Sequence, residues 1–145
     1  TPQQDDILIV HHHEKPEWTS AAQVSWDQRY LILRICEDCS PNNQLWIADM
    51  NEVILPSTVQ KDTELHTYDF SRLKWNKVVP DFEAYYEYIT NDGSLFYFLT
   101  NKNAPRYNIV TYDIEAAGGE QAWHVHVTEG EHLLERAWVV DNTKL

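Results

Sequence analysis

Apolar and polar residues alternate along this chain in short runs rich in β-branched and aromatic side chains. Tyr30 to Glu37, Gln44 to Met50, Trp75 to Val79, Tyr85 to Thr90, Leu95 to Thr100, Tyr107 to Ile114 and Trp123 to Val127 each read as a strand, because such side chains suit a pleated, half-buried surface. Gln23 to Ser25 reads as another, joined to Tyr30 by a turn over Trp26-Asp27-Gln28-Arg29. Ile7-Leu8-Ile9-Val10, flanked by acids and proline, reads as an outer strand. Asn91-Asp92-Gly93 is hairpin chemistry, since glycine accepts positive φ. Cys39-Ser40-Pro41-Asn42-Asn43 and Asn101-Lys102-Asn103-Ala104-Pro105 read as equivalent loops, each carrying a proline that cannot join a ladder. No helical periodicity runs beyond a turn or two. Glu52 to Arg72 mixes Pro, Ser, Thr, Lys, Asp and Glu and reads as a solvated insertion, the segment most open to proteases, with room for a short helix.

These runs repeat. Asp27 to Leu33 is followed by Leu45 to Met50; Asp92 to Phe98 is followed by Ile109 to Ile114; Val139 to Leu145 opens the same phrase again. A strand-rich unit recurring at roughly 40–50 residues is the signature of a β-propeller blade. The fold class expected is all-β: two to three four-stranded antiparallel blades of a partial propeller. Closed rings have about 4–8 blades, so the chain reads as a piece of a longer protein. Residues 1–15 are expected to supply an outer strand of a preceding blade and a linker, 16–82 one blade with its insertion at 52–72, 83–130 a second, and 131–145 the start of the next.

Composition narrows the function classes. With 43% hydrophobic residues the chain can fill a core rather than remain disordered. A net charge of -12 argues against nucleic acid and against anionic membrane surfaces, both of which call for clustered Lys and Arg. No apolar run approaches the ~18 residues of a membrane helix. Two cysteines are too few for a disulfide scaffold, so a cytoplasmic, reducing home is expected.

Candidate chemistry is sparse. None of Ser20, Ser25, Ser40, Ser57, Ser71 and Ser94 sits in a Gly-x-Ser-x-Gly elbow, so no hydrolase triad is visible. Cys36-Glu37-Asp38-Cys39 is one C-x-x-C without the second Cys or His pair of a zinc site, and it leads into a loop rather than a helix. His11-His12-His13 resembles a short metal tract. His124 and His126 share one face of a strand, where His132 would have to approach to complete a metal site; solvated surface is the plainer reading of both clusters. Trp75 and Trp123 open equivalent strands, which favours packing between blades over an aromatic binding groove. No cofactor or metal is implied.

With the repeats placed, the chain resembles the propeller domain of prolyl oligopeptidase, a serine peptidase that cleaves short peptides after proline. The resemblance rests on Pro16-Glu17-Trp18, Arg29-Tyr30, Cys39-x-Pro41-x-Asn43-x-Leu45-Trp46, Leu73-Lys74-Trp75, Tyr88-x-Thr90-Asn91-x-Gly93, Thr100-Asn101 and Pro105-x-Tyr107. It implies a seven-bladed propeller that covers the active site of an α/β-hydrolase peptidase domain, the partner within the same parent chain, and that admits only short proline-containing peptides. It also implies that Cys39 faces the substrate cavity and that Cys36 stands where the family has an arginine lining the substrate site. Gln28 stands where the family has a hairpin glycine. The nucleophile, acid and base of the family have no counterparts here, and no peptidase domain is present in the chain. Two other readings compete: a non-catalytic propeller scaffold that binds a partner across its loops, and a sugar- or metal-binding blade array.

Overall fold

The structure is a computed structural model and describes residues 7–53, 69–116 and 122–140. Its strands are β1 (Trp18–Val24), β2 (Tyr30–Glu37), β3 (Asn43–Asp49), β4 (Asn76–Val79), β5 (Tyr86–Asp92), β6 (Leu95–Thr100), β7 (Asn108–Asp113) and β8 (Trp123–Val127). They form two four-stranded antiparallel sheets in the orders β1-β2-β3-β4 and β5-β6-β7-β8. Among the described residues the remaining regular structure is two 3-10 turns, Met50–Glu52 and Phe70–Arg72. Strands paired in the order of the sequence give the meander of a propeller blade, twice over.

The repeat seen in the sequence is a repeat of hydrogen bonds. Met50 N–H donates to Arg29 O at 2.8 Å, and Ile114 N–H donates to Ser94 O at 3.0 Å. One residue earlier, Asp49 Oδ1 accepts from Asn51 N–H and Asp113 Oδ1 from Glu115 N–H, at 2.9 and 3.1 Å. Aspartate ends the third strand in both sheets because its side chain satisfies the N–H two residues on, turning the chain out of the ladder. A bulge interrupts the pairing of the third and fourth strands in both sheets, at Leu45/Trp46 and at Ile109/Val110.

The core lies between the sheets. Tyr30 and Ile32 of β2 and Leu45 and Ile47 of β3 face Tyr86 of β5, Phe96 and Phe98 of β6, and Val110 and Tyr112 of β7. Successive core positions are two residues apart, the strand period that sends alternate side chains to one face. Tyr30 meets Phe96 edge to face, ring centroids 5.0 Å apart, across the two sheets.

Several expectations shift. The first strand spans Trp18–Val24 rather than Gln23 to Ser25; its Thr-Ser-Ala-Ala-Gln stretch is exposed and carries no apolar alternation to reveal it, yet it pairs along its whole length with β2. Ile7-Leu8-Ile9-Val10, expected as an outer strand of a preceding blade, pairs with none of the described strands, and Leu8 is 74% exposed. Among the tryptophans, Trp123 packs against the core cluster that the two sheets share. Trp46 lies against Trp75 at 6.3 Å, and Trp123 against Tyr112, Phe98 and Tyr86 of its own sheet at 4.7, 5.9 and 5.6 Å. Most of the insertion, 54–68, lies outside the described residues, as do 141–145 of the expected third repeat; its two edges meet where Asp69 N–H donates to Val53 O at 2.8 Å.

Candidate functional site

Antiparallel pairing gathers one set of connections at one end of the blade pair: the β2–β3 loop, the start of β5, the β6–β7 loop and the chain after β8. Asn43 welds this end together. It is fully buried, its N–H donates to Ala84 O at 3.1 Å, and its Oδ1 accepts from Tyr86 N–H at 2.9 Å. Its amide donates to Gln44 O at 3.1 Å, so every polar group of this buried side chain is engaged. Cys36, half-buried at the end of β2, is the cross-strand partner of Asn43 and of Thr19. Cys39 is exposed in the turn that follows, where Ser40 N–H donates to Glu37 O at 3.2 Å; both thiols are free.

Three non-glycine residues in these loops adopt left-handed backbone: Asp38 (φ 53), Asn103 (φ 56) and Tyr107 (φ 69). Asp and Asn tolerate that region; for a bulky aromatic it is an outlier. Tyr107 is held by nested turns around buried Ala104, whose N–H donates to Asn101 O at 3.1 Å and whose carbonyl accepts from Tyr107 N–H at 2.8 Å. The Tyr107 ring meets Tyr85 at 5.9 Å and 85°. Tyr85 is fixed in turn by Asn101 Oδ1, which accepts its N–H at 2.8 Å, and by Glu87 Oε2, which accepts its hydroxyl proton at 2.9 Å. Burial, followed by that hydrogen bond to Glu87, pushes the Tyr85 hydroxyl up to about 12, so it remains a neutral donor.

The opposite end is a seam. Asp27 Oδ2 accepts from Asn91 Nδ2 at 2.7 Å; Tyr88 Oη accepts from Trp26 N–H at 3.0 Å and donates to Asn91 Oδ1 at 2.6 Å. Arg29 donates to Asp49 Oδ2 through Nε and Nη2 at 2.9 and 2.8 Å, and reaches Glu115 of the other sheet at 3.3 Å. Burial works to raise the Asp27 carboxyl, but hydrogen bonds from Ser25, Arg29 N–H and Asn91 outweigh it and hold the group below the usual carboxylate range. The hydrogen bond to Asp49 is the main reason the Arg29 guanidinium holds its proton still more firmly than usual.

The histidines do not assemble. His12 Nε2 lies 3.0 Å from Ser20 Oγ, with its ring edge-on to Trp18 and Trp46 at 5.3 and 5.9 Å, and no carboxylate stands behind it among the described residues. His126 packs on Tyr97 at 5.2 Å. Among the described residues no three His, Cys, Asp or Glu side chains group as metal ligands. Ser25 is structural: its Oγ donates to Asp27 Oδ1 and accepts from Tyr30 N–H. No described helix is long and apolar enough to cross a membrane.

Compared with known proteins, the whole chain, residues 1–145, matches the model of the prolyl oligopeptidase N-terminal β-propeller domain. The chain belongs to the prolyl oligopeptidase family. Prolyl oligopeptidase A of Amanita bisporigera is 42% identical over 79% of the chain and 13% of its own length. The dual function macrocyclase-peptidase POPB of Galerina marginata is 38% identical over 79% of the chain and 14% of its own length. The chain thus spans about one seventh of these relatives. Prolyl oligopeptidase B of Galerina marginata, solved with a 25mer macrocyclization substrate, superposes with a TM-score of 0.71 at 34% identity, over 88% of this chain and 16% of that one. Prolyl oligopeptidase propellers therefore account for both sheets described here.

Sequence reasoning singled out Cys36 and Cys39 but missed the Tyr85–Tyr107 pair and the Asp27–Asn91–Tyr88 seam. Tyr107 follows a proline loop and Asp27 sits in a turn, which hints at special backbone. The partners, however, are 22 and 64 residues away, a separation that strand patterning does not bridge.

Proposed function

We propose that the chain acts as the gating and substrate-filtering propeller of a prolyl oligopeptidase-type serine endopeptidase that hydrolyses short peptides after proline. The family match over residues 1–145 carries this reading. The blades occupy 16–82 and 83–130 of a larger ring, and the catalytic triad comes from the α/β-hydrolase domain of the same parent. Cys39 and Cys36 lie near the substrate, a role supported by the exposure of Cys39 in its loop and by the rigid Asn43 anchor beside Cys36. The ring excludes folded proteins by geometry: two sheets sharing one buried core leave no room for a large substrate to part them. Free thiols at both cysteines fit a cytoplasmic location.

The test uses the full-length parent. A bulky maleimide on Cys39 is expected to block cleavage of a short blocked Gly-Pro reporter peptide, and Cys39→Ser to render the enzyme insensitive to the reagent. Unchanged turnover after complete labelling of Cys39 would remove it from the substrate's neighbourhood. Efficient cleavage of an intact folded protein would overturn the filter.

A further inference from the structure

We propose that the cavity between the two sheets at the seam end binds a small alkylammonium ion, held by the Tyr30 hydroxyl, the Trp75 indole and the Glu115 carboxylate. The site lies away from the Cys39 end and goes beyond the filtering role.

The first observation is an orphaned hydroxyl. Tyr30 is 1% exposed, and its Oη is buried without a hydrogen-bond partner among the described residues. A buried polar atom left in this state calls for something to satisfy it. The ring is fixed between Arg29, whose Cζ lies 4.7 Å from its centroid, and Phe96, edge-on at 5.0 Å. Tyr30 lines a cavity of about 400 Å³ that both sheets build, Trp75 coming from one and Ile114 and Glu115 from the other. The charges that act on the phenol oxygen, after burial itself, include Arg29, Asp49 and Glu115, all of them in the walls of that cavity. Burial raises the hydroxyl above its ordinary range, so it stays neutral and can accept a hydrogen bond without adding charge.

The second observation is the balance of charge. Three carboxylates, Asp49, Glu52 and Glu115, face two cations, Arg29 and Lys74, across the cavity walls. The cations are already engaged: Arg29 holds Asp49 at 2.8 Å, and Lys74 stands 3.8 Å from Glu52. Glu115 meets Arg29 through Oε1 at 3.3 Å, which leaves Oε2 without a partner among the described residues. One negative charge is therefore in excess, in a chain whose net charge of -12 concentrates cations around it. That excess disfavours an anion. No three His, Cys, Asp or Glu side chains group as metal ligands among the described residues. An organic ammonium suits the remaining groups: its N–H donates to Tyr30 Oη and to Glu115, its charge lies against the half-buried indole of Trp75, and a short tail meets Ile47 and Ile114.

The test titrates n-butylammonium chloride into the full-length parent by calorimetry at low salt, with n-butanol as the neutral probe of the same tail. Saturable binding of the ammonium is expected, with n-butanol at least about 10-fold weaker, the loss of a charge-assisted contact. Tyr30→Phe keeps the ring on Phe96 and removes only the unpaired oxygen. Its melting temperature without ligand is expected to hold or rise, while ammonium affinity falls about 10-fold. Glu115→Gln, on the exposed rim, should weaken binding to a similar extent, and Trp75→Leu about 3–10-fold. Heats no larger than those of sodium chloride would overturn the site, as would wild-type affinity in both Tyr30→Phe and Glu115→Gln. A Tyr30→Phe protein that melts lower yet binds the ammonium unchanged would assign the hydroxyl to a resident water, and the proposal would fall. Binding is read without peptide, so failure here leaves the filtering role standing.

Discussion

The two ends of the blade pair solve different problems with the same strands. At the seam, Trp26, Asp27 and Arg29 reach across to Tyr88, Asn91 and Glu115, so one tight turn ties two sheets through side chains. At the Cys39 end the ties are two neighbouring asparagines, Asn42 to Phe82 O and the buried Asn43 to Ala84 and Tyr86, while Cys39 is exposed and Tyr85 and Tyr107 are half-buried. Where side chains are left open, one fully satisfied polar anchor beneath them keeps the loops in place. A polar anchor of this kind is costly to damage, since a buried amide left unpaired loses its full solvation.

The largest effect is expected from Phe96→Ala, which empties the shared core under Tyr30 and should cost about 3–5 kcal/mol in denaturant unfolding. A cost below 1 kcal/mol would mean that the sheets do not share one core. Asn43→Ala comes next, at roughly 2–3 kcal/mol, because Tyr86 N–H loses its acceptor in a buried setting. Asn91→Ala at the part-exposed seam should cost less, about 1 kcal/mol. If the order of these two reverses, the seam is the main tie. The two hairpin turns offer a matched pair at smaller scale. Gln28 holds φ 62 where the second blade has Gly93 at φ 57 with open space around it. Gln28→Gly should therefore gain about 0.5–1 kcal/mol and Gly93→Ala lose about as much, read as opposite shifts in unfolding midpoint. The smallest effect is a pH dependence. Asp27 ionises below its ordinary range when folded, so its contribution is present above about pH 4 and is lost as the pH falls through the folded value. Asp27→Asn should flatten that acid limb of the stability curve.

How much was legible in advance follows physical lines. Strands with one apolar face, such as Tyr30–Glu37 and Leu95–Thr100, announce themselves because burial on one side imposes a period of two. β1 escaped because its residues are exposed and small; its place comes from pairing with β2, which is not a local property. Ile7 to Val10, read as a strand of a preceding blade, finds no ladder partner among the described strands, since pairing too is a non-local property. The cysteines were legible as residue types but not as neighbours of Asn43. Asn43 itself was part of a recognisable motif whose purpose, holding the next blade, shows only once Tyr86 is beside it.

From the order of its residues alone, this protein is a repeating all-β chain of the prolyl oligopeptidase kind, with no catalytic triad in view. These are local and periodic features, set by side-chain alternation and turn chemistry. Tertiary structure decided which face of each sheet is shared, that Tyr30 meets Phe96 across the two sheets, and that Tyr85 and Tyr107 stand together beside the Cys39 end. Contacts of that kind depend on how two twisted sheets stack, and sheet stacking is fixed by packing between distant residues rather than by any single run of sequence.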